Sequence, residues 1–175
     1  MKRPVSVTLV ALWLFLAATI ELYLLVAHPL RSYLITIFGV HLLRYAALVA
    51  YLVYIQVRVF LGIGLLDLRP AARIAGMIFC AYVALNSIVT FLMPGSLARY
   101  LAAAQRISPA VNFSDPSTMM VYRVGHVGSV AGSAGVSLLA LYFLATRRAA
   151  FYAPPASGSP TSGAISSAPS IESPQ

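Results

Sequence analysis

The sequence predicts an all-α, polytopic membrane protein: four transmembrane helices, a short interfacial helix and a disordered C-terminal tail. Three observations carry that prediction. The 175 residues are 60% hydrophobic and only 9% charged. A soluble domain averages about 25% charged residues, so the apolar surplus needs a solvent other than water. The apolar residues fall into four runs, each near the length of about 20 residues that a helix needs to cross hydrocarbon. The last stretch, 149–175, is Ser, Pro, Ala and Gly with almost no charge, a composition that cannot build a packed core.

The first span is read over 5–27, behind the basic leader Met1-Lys2-Arg3-Pro4. Its core of about 23 residues exceeds that of a signal peptide, and no small-residue cleavage site follows it. His28-Pro29 ends the run. From Leu30 to Leu42 the residues Leu30, Tyr33, Leu34, Ile37, Phe38 and Leu42 recur at helical spacing, which predicts a helix lying in the interface. The alternative is the outer end of a long, tilted second span. That span is read over 45–66, and the third over 71–93, stopped by Pro94-Gly95. Within the long connection at 96–115, Leu97, Tyr100, Leu101 and Ala104 predict a short amphipathic helix. Asp115-Pro116 reads as an N-cap followed by proline in the first turn. The helix it opens has its membrane portion over 125–146 and ends at Arg147-Arg148.

Several function classes are disfavoured. The net charge is +8, yet most cations stand singly at the ends of apolar runs. There they suit lipid phosphates rather than the clustered patch that nucleic acid needs. One cysteine, Cys80, excludes an internal disulfide. His28, His41 and His126 lie on different segments without metal-ligand spacing, so no metal and no cofactor are expected. Gly62-Ile63-Gly64 lacks the third glycine of a dinucleotide loop, and no nucleophile elbow or P-loop is present. The chain is not expected to be an enzyme.

Three groups of residues are candidates for function. A charge near the bilayer centre costs about 2.5–3.5 kcal/mol and seeks a partner inside the bundle. At 1.5 Å per residue, Glu21 lies about 24 Å from the cytoplasmic edge of span one and Arg58 about 12 Å from that edge on span two. Side chains lean toward their own helix N-terminus, so the two lean toward each other. Asn86, at about 22 Å, is level with Glu21. The prediction is a buried polar cluster of Glu21, Gln56, Arg58 and Asn86. In the fourth span, Gly125, Gly128, Gly132 and Gly135 share one face, beside Ser129, Ser133 and Ser137. Such a face packs helices closely in lipid, either against spans one to three or in a homodimer. The turn at Asp67, Arg69 and Arg73 is read as cytoplasmic, with both arginines on lipid phosphates and span carbonyls.

The turn carries a resemblance. Gly62-Ile63-Gly64-Leu65-Leu66-Asp67-Leu68-Arg69-Pro70-Ala71-Ala72-Arg73, with the Arg3-Pro4-Val5 start, resembles small bacterial four-helix membrane proteins of uncharacterised function. Those read GxGLxxLRxWAR at this junction, and Ala71 stands here at the Trp position. The resemblance implies a fold and a topology. A lone Glu in the first of four helices also looks like the small multidrug-resistance exporters, which are shorter and carry no arginine such as Arg58. The leading expectation is a non-enzymatic protein of the bacterial inner membrane, both termini cytoplasmic. It would act through helix packing with itself or with a partner membrane protein. The alternative is a small proton-coupled transporter using Glu21.

Overall fold

A computed structural model describes residues 4–28 and 33–152. The leader and the expected tail beyond Tyr152 lie outside the described residues. The elements are α1 (Val5–Ala27), a hairpin of β1 (Leu34–Ile37) and β2 (Val40–Leu43), α2 (Arg44–Leu66), α3 (Pro70–Leu92), α4 (Ser96–Ile107), α5 (Pro116–Thr146) and α6 (Ala149–Tyr152). The fold is helical, and α1, α2, α3 and α5 are each long and apolar enough to cross a membrane. Their bounds match the four expected spans within a residue, with α5 extended to its cap. The short helix is α4, in the connection where Leu97, Tyr100, Leu101 and Ala104 pointed to one. Large apolar side chains on all four long helices, among them Leu12, Leu16, Leu52, Phe60, Ile78, Phe91 and Leu139, face outward.

One expectation is overturned. The segment around 30–42 is no interfacial helix within its described part: Leu34–Leu43 is an antiparallel hairpin in which Ile37 pairs with Val40. Ile35, Thr36, Ile37 and Val40 are β-branched and favour strands. The two-residue turn Phe38-Gly39 has φ of 47° and 74°, the left-handed pair of a type I′ hairpin. A side chain at Gly39 would be strained at this φ, and an added Cβ would lie 2.3 Å from the Met93 sulfur, which would have to move. The first residues of the stretch expected to be tail, Ala149–Tyr152, are helical, and Phe151, 5% exposed, joins the core.

The helices pack as two pairs, α1 on α2 and α3 on α5. The α2–α3 turn joins the pairs, while α1 and α5 touch lightly. The apolar core sits at the turn end, where Val7, Val10 and Leu14 of α1 meet Leu61 and Leu65 of α2, Cys80 of α3 and Leu144 of α5. The turn itself is a Schellman motif: Arg69 N–H donates to the Gly64 carbonyl at 2.9 Å and Leu68 N–H to that of Leu65 at 3.1 Å. Leu68 holds the left-handed position with φ 54° while its side chain packs on the core. Gly62 and Gly64 let neighbours close in. An added Cβ would stand 2.8 Å from the Phe15 ring and 2.5 Å from Ala72 Cβ, respectively.

Candidate functional site

Glu21 and Arg58 form the ion pair that their heights predict, linking α1 to α2. Their side chains are only 15% and 12% exposed. The guanidinium also lies over the rings of Tyr54 and Phe79, 5.5 and 5.9 Å from their centroids. Tyr54 in turn donates to the Tyr82 hydroxyl at 2.8 Å. The second carboxylate oxygen, Oε2, has no hydrogen-bond partner among the described residues.

The rest of the expected cluster separates from this pair. Gln56 is exposed on the outer face of α2. Polar side chains at positions 56 and 58 stand about 200° apart around a helix, so one of the two must face away. Asn86 turns to the hairpin. Its Oδ1 accepts from Phe38 N–H, and its Nδ2 donates to the Thr36 carbonyl at 3.4 Å. One turn along α3, the Thr90 hydroxyl accepts from Gly39 N–H at 3.1 Å. The outward N–H groups of the type I′ turn are thus capped by side chains of α3. Tyr51 hydroxyl donates to the Leu34 carbonyl at 3.0 Å and ties the hairpin to α2.

Glu21 and Asn86 nonetheless line one space. Below the hairpin, between the helix pairs, lies a cleft of about 500 Å³ whose walls carry Glu21, Thr36, Tyr51, Asn86, Ser87, Thr90, Tyr100, His126, Ser129 and Ser133. A second cavity of about 360 Å³, reaching His28 and Tyr122, shares Leu24, Leu34, Tyr51 and Tyr100 with it. Polar walls between apolar helices set this region apart from the core at the other end. α4 and the hairpin contribute an aromatic junction. His126 stacks on Tyr100 with centroids 4.3 Å apart, and His41 stands edge-on at 6.2 Å. Burial, aided by the charges of His126 and Arg99, holds the His41 pKa below the usual imidazole value. Burial, aided by the Tyr122 charge, raises the Tyr100 phenol.

The turn residues divide. Arg73 is 7% exposed. Its Nε donates to the Leu144 carbonyl at 2.7 Å and its Nη2 to that of Ala145 at 3.2 Å. It therefore caps α5, the span-carbonyl role expected of it. Arg69 pairs in the open with Asp67 at 3.0 Å. The glycine face is not used inside the molecule: a Cβ added at Gly125, Gly128, Gly132 or Gly135 meets nothing within 4 Å. The α3–α5 contact runs instead through Gly76 and Leu144, so packing of the stripe against spans one to three is overturned.

Sequence reasoning missed most of the cleft wall. The signal was the recurrence of small hydroxyl residues in apolar runs, Ser87 and Thr90 on α3 and Ser129 and Ser133 on α5. No three His, Cys, Asp or Glu side chains gather as a metal site among the described residues. Comparison with protein-family models, with curated proteins and with solved structures returns no match.

Proposed function

We propose that the chain is a non-enzymatic carrier of the bacterial inner membrane, both termini cytoplasmic, that takes a small polar solute into the cleft between its helix pairs. The observation that supports this reading is the cleft wall. Ten polar side chains from five elements and the hairpin converge on about 500 Å³ in a chain of lipid-facing helices. Polar groups are costly at membrane depth and mark solute or proton pathways there. Glu21 is the carboxylate of that wall and the natural coupling group. The test is aqueous access. With Cys80 buried, Ser133→Cys is expected to react with a membrane-impermeant, charged thiosulfonate in native membranes, while the outward-facing Leu139→Cys stays unlabelled. An inert Ser133→Cys removes the reading. If labelling succeeds, Glu21→Gln is expected to abolish pH-gradient-driven uptake in proteoliposomes.

A second reading rests on a different observation, the open space over the glycines of α5. Small-residue faces associate helices in lipid, so this face suits a second copy or a partner helix. Gly132→Leu is expected to abolish crosslinked dimers, and an unchanged oligomer removes this reading.

A further inference from the structure

Outside the cleft, on the far side of the hairpin, lies a groove of about 390 Å³ between β2, the end of α3 and α4. Its floor is apolar, with Val40, Leu43 and Met93, and its polar groups are His41, Arg99 and Arg106. Arg99 and Arg106 are seven residues apart, two helical turns, and so share one face of α4 about 10.5 Å apart along the axis. Both are exposed. Among the described residues neither pairs with a carboxylate. Among the described residues Glu21 is taken by Arg58, Asp67 by Arg69, and Asp115 by the start of α5. The fourth acid of the chain, Glu172, lies outside the described residues. His41 Nδ1 shares a hydrogen bond of 2.8 Å with the Thr36 hydroxyl, and its Nε2 is buried without a partner among the described residues.

Two exposed guanidinium groups over an apolar trough present donors without acceptors, a set that fits phosphate oxygens. The trough favours an occupant with a hydrocarbon chain. Val40 in its floor is 59% exposed. We propose that this groove holds an anionic phospholipid, its phosphate on Arg99 and Arg106 and its acyl chain along Val40, Leu43 and Met93. The groove shares no lining residue with the solute cleft, and Glu21 is not part of it.

Native mass spectrometry of the full chain in detergent tests it, with phosphatidylglycerol, phosphatidylcholine and inorganic phosphate as the probes. The wild type is expected to retain phosphatidylglycerol over phosphatidylcholine by about tenfold or more. Arg99→Gln/Arg106→Gln is expected to erase that preference, and Arg99→Lys/Arg106→Lys to keep part of it. These positions are exposed, and unchanged circular dichroism checks that the variants fold. Equal retention of both lipids overturns the proposal, as does competition by millimolar inorganic phosphate alone, which marks a free-anion site. So does loss of the lipid in Arg147→Gln/Arg148→Gln rather than in the α4 variant, which moves the site to the other end of the bundle.

Discussion

Arg69 and Arg73 stand four positions apart, yet one side chain lies open while the other is shut in among helix ends. Hydrogen bonds from a charged donor contribute about 1.5–3 kcal/mol, and exposed ion pairs about 0–1. Arg73→Gln is therefore expected to destabilise the protein by about 1.5–3 kcal/mol in reversible detergent unfolding, and Arg69→Gln by less than about 0.5. Equal losses would show that α5 is held some other way. The same logic governs Glu21 and Arg58. Removing one member of a buried pair strands the other, at about 3–5 kcal/mol. Glu21→Ala and Arg58→Ala are each expected to be strongly destabilising, and the double variant to fall well short of their sum. Additive losses would break the pair as an energetic unit.

At the scale of elements, the glycines of α2 and α5 act in opposite ways. Gly64→Ala drives a methyl to 2.5 Å from Ala72 Cβ, which forces α2 and α3 apart at a cost of about 1–3 kcal/mol. Gly132→Ala meets nothing and is expected to leave the monomer as stable or to gain up to about 1 kcal/mol from helix propensity. Thermal unfolding of the two variants side by side distinguishes a packing glycine from an open one. The start of α5 supplies a pH prediction. Asp115 accepts from the Ser117 hydroxyl, and from Thr118 N–H and hydroxyl at 2.9 and 2.8 Å. These bonds lower its pKa from 3.8 to about 2. Because the folded value is the lower one, the cap stabilises fully above pH 3.8 and is lost as pH falls through about 2. Circular dichroism melts from pH 5 to 2 should show that loss in the wild type, and Asp115→Asn should flatten this contribution.

For the whole molecule, the division into a dry end and a polar end organises the rest. Apolar contacts close the bundle around Leu14, Leu65 and Leu144. At the opposite end the hairpin bridges the two helix pairs through Tyr51 on α2 and Asn86 and Thr90 on α3. Asn86→Leu removes the cap on Phe38 N–H and loosens that bridge. It is expected to speed thiosulfonate labelling of Ser133→Cys several-fold, and an unchanged rate would show that the hairpin does not limit entry.

The sequence alone determined the four spans, the Asp115 cap, the helix α4 and the Glu21–Arg58 pair, because hydropathy, capping chemistry and the cost of a charge in lipid are local or one-dimensional quantities. The hairpin was less legible, since Tyr33, Leu34, Ile37 and Phe38 satisfy helical spacing while their β-branched neighbours favour a strand. Its turn also places Phe38, a residue that rarely adopts positive φ, beside Gly39. Only the tertiary structure decided that Gln56 faces outward, that Asn86 serves the hairpin, that the α5 glycines stay open and that a polar cleft forms at one end. Those outcomes depend on how far each helix is rotated about its axis and which helix it packs against, and contacts between residues far apart in the chain set both.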